Sequence, residues 1–291
     1  MSLLPSARAA GDRCYDAVAE QSAAVVIHGY STSFGLASRL LAEPVRTQVR
    51  NVYALVRIAD EIVDTPDPGL DVDTRDLLLR GLQDDTHQAM RSGRSSNLVV
   101  HAFAGTARTV GIGTDLVDPF FESMRTDLHV TVHDRASLER YIYGSAEVVG
   151  LMCLRAFLAD EDSGQEYDDL APGARALGAA FQKINFLRDL GEDYRLLGRR
   201  YFPGLVLETF SDGRRDAILD DIEADLALAA NAIPRLPASS RRAVAAAYLL
   251  FDELARRLRT TSAAQIPAQR VRVPGPVKAR LVARVLLKEI A

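Results

Sequence analysis

Apolar residues recur along this chain at spacings of three and four, interrupted by clusters rich in Pro, Gly, Ser and Asp. That period predicts amphipathic helices, and no run of alternating β-branched residues competes with it. The breaker clusters fall at 65–74, 91–97, 111–119, 159–173, 201–216, 233–240 and 260–276. Helices are therefore expected at roughly 15–30, 44–64, 75–91, 97–110, 117–127, 136–159, 173–196, 214–231, 239–260 and 276–290. No composition shift, long linker or solenoid-period repeat divides the sequence, so one all-α domain over 1–291 is expected.

Two of these helices carry acids where a packed helix should be apolar. In NVYALVRIADEIVD (51–64), Tyr53, Arg57, Asp60 and Asp64 fall on one stripe, while Val52, Leu55, Val56, Ile58, Ile62 and Val63 make the remainder apolar. In FQKINFLRDLGED (181–193), Gln182, Asn185, Asp189 and Asp193 form a second stripe, with Arg188 beside it and Ile184, Phe186, Leu187 and Leu190 facing elsewhere. Carboxylates one helical turn apart repel unless a cation or base neutralises them. One such motif alone reads as a solvated helix face. Two, both in apolar helices and both flanked by Arg, point to a hard-cation site. Mg²⁺ prefers carboxylate and amide oxygens and is commonly held by a few carboxylates plus substrate phosphates, so two such stripes across a cavity would grip a diphosphate. Di-iron chemistry is disfavoured, because it wants Glu-x-x-His pairs and none of the five His residues follows a Glu at that spacing.

Composition narrows the setting. Thirty-five basic and 39 acidic side chains give a formal charge of −4, which offers no nucleic acid an electrostatic footprint. Cys14 and Cys153 form neither a disulfide framework nor a zinc site and suit a reducing compartment. The N-terminus lacks a sustained apolar h-region, and the longest uncharged apolar run, near 243–251, is far too short to span a bilayer. A cytoplasmic protein with at most peripheral membrane contact is expected. The basic amphipathic segment after Val271 offers that contact, or closes over an anion, or is simply a solvated face. No Gly-x-Gly-x-x-Gly follows a strand, so no Rossmann site is visible.

These stretches resemble the squalene/phytoene synthases. STSFGLASRLL from Ser31 is similar to that family's N-terminal Ser-x-Ser-Phe segment, and YALVRIADEIVD to its first aspartate motif. YIYGSAEVVGLM from Tyr141 resembles its central helix, and QKINFLRDLGEDYRLLGRRYFP from Gln182 its second aspartate motif. Tyr248 and the basic tail match weakly. The resemblance covers nearly the whole chain and implies an isoprenoid-synthase-type helical bundle around a central cavity. It further implies Mg²⁺ ligands at Asp60, Asp64, Asn185, Asp189 and Asp193, with Gln182 and Asn185 supporting metal or diphosphate. Arg57, Arg188 and Arg199 would contact diphosphate oxygens, for which the guanidinium fork supplies paired donors. Ser31, Ser33 and Phe34 would line the diphosphate end. Tyr53, Tyr141, Tyr201 and Tyr248 would shape the cavity and steady carbocations.

Three positions depart from the family pattern. Glu61 stands where a second Asp is common and conserves the charge. Lys183 stands where an apolar residue is expected and should point away from the cavity. Glu147 replaces a common Gly. It is either a base or acceptor in the cavity, here grouped with the catalytic residues, or the partner of an Arg on a neighbouring helix.

The resemblance implies head-to-head condensation of two allylic prenyl diphosphates, with NADPH needed only if squalene forms. A relative that passes one prenyl group to another acceptor, such as an aromatic ring, is the second expectation, and Glu147 is the feature that would fit it. A non-enzymatic scaffold ranks last, because all four aspartates are kept.

Overall fold

The computed structural model describes residues 7–30, 33–64, 69–159 and 167–287. Their regular structure is helical throughout, with one isolated bridge between Val132 and Arg200 as the sole strand-like pairing among the described residues. In chain order the helices are α1 (Ala7–Tyr30), α2 (Ser33–Ser38), α3 (Val45–Asp64), α4 (Val72–Ser92), α5 (Leu98–Val110), α6 (Thr114–His129), α7 (Arg135–Ile142), α8 (Val148–Phe157), α9 (Tyr167–Glu192), α10 (Asp212–Ala232), α11 (Ala238–Thr260) and α12 (Gly275–Leu287). A π-helical turn, Tyr143–Glu147, joins α7 to α8, and a second, Asp193–Leu197, ends α9.

The predicted helices are all present, with differences at their ends. The short α2 escaped prediction, since six residues carry too little periodicity to register. Pro119 and Pro172, expected to lie in breaker segments, sit inside α6 and α9. Each is the sixth residue of its helix, so its ring removes one hydrogen bond, to the carbonyl of Asp115 or Asp168, a cost that packing offsets. Burial of the adjoining Phe120 and Phe121 favours the helix by roughly 1.5–3 kcal/mol for each ring removed from water.

α3 is the inner helix of the first half. It packs on α1, α5, α6 and α8, and Val52, Ala54, Leu55 and Ala59 are wholly buried. α9 occupies the same place in the second half, against α8, α10 and α11. The two halves meet where α8 crosses α9 at close range. A Cβ on Gly178 would lie 2.5 Å from the carbonyl oxygen of Ala146, and one on Gly150 2.5 Å from that of Ala174. Only glycine permits this crossing. The same four residues form part of the wall of an internal cavity.

Candidate active site

The cavity has a volume of about 500 Å³ and two chemically distinct ends. Small and apolar side chains wall one end, among them Val149, Leu154, Phe157, Leu170, Ala232 and Ala243. At the other end α3 contributes Tyr53, Arg57, Asp60 and Asp64, and α9 contributes Gln182, Asn185, Arg188 and Asp189, followed by Asp193 in the π turn. Arg199, Tyr141 and Tyr201 complete the polar lining. The two acidic stripes thus face one cavity.

Asp64 is the last residue of α3, whereas Asp189 and Asp193 lie where α9 runs on into its π turn. At the end of α3 the backbone dipole places partial negative charge, so a carboxylate there is disfavoured by roughly 0.3–1 kcal/mol. Burial adds to the cost. It pushes Asp193 up to about 7, with the charges of Asp189 and Asp64 acting in the same direction. It also raises Asp60, again with the charge of Asp64 contributing. Negative charge is therefore packed here beyond what folding alone would favour.

Arginines hold that charge. Arg57 donates to Asp60 at 2.8 Å and to Glu61, under a cation–π contact with Tyr30 at 4.4 Å. Arg188 donates to its neighbour Asp189, and Arg270 reaches the same carboxylate at 3.0 Å from the segment before α12. Arg199 spans the site, donating to Asp64 and lying 3.6 Å from Asp127. Burial opposes the charge of Arg199, but Asp127, Tyr201 and Asp64 outweigh it and hold the guanidinium protonated. Tyr201 stacks on Phe186 with centroids 3.8 Å apart, and Tyr141 stacks beside it at 5.6 Å.

The donor set suits a hard cation: four carboxylates with Asn185 and Gln182 nearby, all oxygen ligands. No three Asp, Glu, His or Cys side chains are gathered to metal-ligand spacing among the described residues. An open arrangement is what Mg²⁺ needs if substrate phosphates are to complete its shell.

Other expected site residues fall elsewhere. Glu147 does not reach the cavity. It accepts from Arg175 at 2.7 Å across the α8–α9 contact, so the ion-pair reading holds and the catalytic one is corrected. The cavity-lining positions here, Ser145, Ala146, Val149, Gly150 and Cys153, recur at helical spacing and leave Glu147 off that face. Tyr248 is likewise not part of the cavity lining; it is half-buried between α11 and its neighbours. Lys183 points away, as expected, onto Asp221 and Asp225 of α10. Ser31 lies outside the described residues, and for Ser33 and Phe34 the description stops at the backbone of α2. Cys153 lines the apolar end, where burial pushes its thiol up to about 12 and leaves it inert.

Sequence reasoning missed Ser145, Arg270 in its specific role, and Asp127. Ser145 accepts from Gln182 at 3.4 Å. Asp127 did leave a signal. It continues the buried seam of α6 through Phe120 and Met124, where an acid is out of place.

Helices enclosing a two-ended cavity, with facing aspartate stripes, define an isoprenoid-synthase-type bundle. The chain belongs to the squalene/phytoene synthase family, whose model matches residues 27–276. It is 31% identical over 202 residues to 4,4′-diapophytoene synthase of Staphylococcus haemolyticus, covering 69% of this chain and 66% of that one. It is 31% identical over 176 residues to phytoene synthase 1 of Zea mays, covering 60% of this chain and 42% of the relative. It is 29% identical over 178 residues to presqualene diphosphate synthase of Rhodopseudomonas palustris, covering 60% of each. The aligned stretches thus span less than two thirds of those relatives' lengths. Among solved structures, a dehydrosqualene synthase matches with a TM-score of 0.77 at 24% identity, over 94% of this chain and 96% of that one. A squalene synthase from Alicyclobacillus acidocaldarius matches at 0.70 and 19%, over 83% and 93%. At these identities the structures speak for the fold. Among the described residues no helix is long and apolar enough to cross a membrane.

Proposed function

We propose that this protein is a Mg²⁺-dependent prenyltransferase that condenses two allylic prenyl diphosphates head to head and releases diphosphate. The observation that carries the reading is the cavity itself: acid stripes and arginines at one end, hydrocarbon walls at the other. Family membership supports it. So do the relatives' names, each of which denotes a synthase of a head-to-head product.

Asp60, Asp64, Asp189 and Asp193, with Asn185, are the residues that would hold Mg²⁺. The metal supplies positive charge that stabilises the departing diphosphate. Arg57, Arg188 and Arg199 already lie against these acids and turn their donors to the diphosphate oxygens. Ionisation of the first substrate leaves an allylic cation. Tyr53, Tyr141 and Tyr201 present ring faces and phenol oxygens to it. The apolar walls exclude water, which would otherwise trap the cation as an alcohol. Attack by the alkene of the second molecule, with loss of a proton, closes a cyclopropylcarbinyl diphosphate.

Transfer to an aromatic acceptor is not proposed, because Glu147, the feature that suggested it, is an ion-pair partner outside the cavity. The test is incubation of the pure protein with Mg²⁺ and farnesyl or geranylgeranyl diphosphate, each as sole substrate, with and without NADPH, read by mass spectrometry. A C30 or C40 hydrocarbon, or the cyclopropylcarbinyl diphosphate, is the expected product. Intact substrate in every arm overturns the reading.

A further inference from the structure

One buried carboxylate belongs to neither aspartate stripe and to no motif in the sequence. Asp127, near the end of α6, keeps only 3% of its side chain exposed. It touches two of the cavity's lining groups at once. Its Oδ2 accepts from the Tyr141 hydroxyl at 2.7 Å, and its backbone carbonyl accepts from Arg199 at 3.2 Å. Its Oδ1 lies 3.6 Å from Arg199 Nε and has no hydrogen-bond partner, although it is buried. Burial pushes this carboxyl up to about 7, and Arg199 is the cation that pulls it back toward the charged form.

We propose that Asp127 is a positioning residue for the diphosphate end, setting both the Arg199 guanidinium and the Tyr141 hydroxyl. The proposal rests on the functional reading above. Arg199 stands between two carboxylates, Asp64 on the cavity side and Asp127 behind it. Were Asp64 to hold a metal, Arg199 would lose one charge partner. Asp127 remains, so the guanidinium stays charged and fixed, with the donors freed from Asp64 turned toward the cavity. Tyr141 is set by the same acid. Its proton is committed to Asp127, so the lone pairs of its oxygen are left for the cavity, where positive charge develops. Stacking of Tyr141 on Tyr201 and Phe186, with His133 at 5.1 Å, keeps the ring from turning away.

The experiment compares Asp127→Asn with the wild type. Asn is of similar size and keeps an acceptor for Tyr141, but it removes the charge facing Arg199. Steady-state turnover of farnesyl diphosphate with Mg²⁺ is measured alongside circular dichroism. A loss of about 10- to 100-fold, carried mainly by kcat, is expected in a variant that is folded at the assay temperature. In a double-mutant cycle with Arg199→Lys, the two costs should combine to less than their product. Kinetics within about twofold of wild type, or costs that multiply in the cycle, overturn the proposal. Asp127→Ser, which admits a water, takes the place of Asp127→Asn if the latter does not fold, with the same outcomes required. If the wild type consumes no prenyl diphosphate, the functional reading fails separately. Calorimetry with inorganic diphosphate and Mg²⁺ then decides: weaker binding by the variant supports the role of Asp127, and equal binding overturns it.

Discussion

The two acidic stripes look alike in sequence but are neutralised differently. On α3, Asp60 leans on Arg57 of its own helix, and Asp64 on Arg199, which is itself buried and backed by Asp127. On α9, Asp189 shares its charge between its neighbour Arg188 and Arg270, a half-exposed side chain from a surface segment. The first stripe is therefore set by groups that cannot easily move. The second is held in part by a cation that can be exchanged at little cost, since exposed ion pairs contribute about 0–1 kcal/mol. The same spacing thus yields one fixed wall and one adaptable wall.

The strongest way to break the comparison is to remove an acid from each side. Asp60→Ala and Asp189→Ala should each lower turnover about 10³-fold or more, because both walls are needed to stabilise the leaving charge. The metal-free fold should melt no lower than wild type in either variant, since like charges are being removed from a crowded site. Activity near wild type in one variant would show that its wall is dispensable.

A second test uses pH. Burial raises Asp193 to about 7, above its unfolded value of about 3.9. Above pH 7 the folded chain must keep this carboxylate ionised against burial and its neighbours' charges, a penalty that fades as pH falls from 7 toward 4. Magnesium removes the same penalty and competes with the proton. The gain in Tm on adding Mg²⁺ should therefore be larger at pH 8 than at pH 6, as thermal melts would read. An equal gain at both values would contradict the burial of this charge.

Smaller effects sharpen the contrast. Arg270→Ala should raise KM for the prenyl diphosphate by about three- to tenfold with kcat little changed, the signature of lost ground-state binding. An equal fall in kcat would mean that Arg270 belongs to the fixed wall. Glu147→Gln should leave kcat/KM within about twofold, as a residue outside the cavity lining should, and a larger loss in steady-state assays would return Glu147 to the site.

Much of this was legible in advance. The acid stripes announced themselves because Asp60 and Asp64, like Asp189 and Asp193, interrupt apolar helices at one-turn spacing, a pattern local sequence can hold. Arg199 was found only by resemblance, since its partners Asp64 and Asp127 are 135 and 72 residues away. Glu147 kept two readings in the sequence, cavity residue or partner of an Arg, because that partner, Arg175, lies 28 residues away on another helix.

The sequence by itself determined the helices and which of their faces carry acids, because hydrophobic period and side-chain charge act over one or two turns. Only the tertiary structure decided which acids share a cavity, which arginine balances which carboxylate, and that Asp127 stands behind Arg199. Those relations depend on how helices far apart in the chain cross, and that is set by close packing such as that of Gly150 on Ala174 and of Gly178 on Ala146.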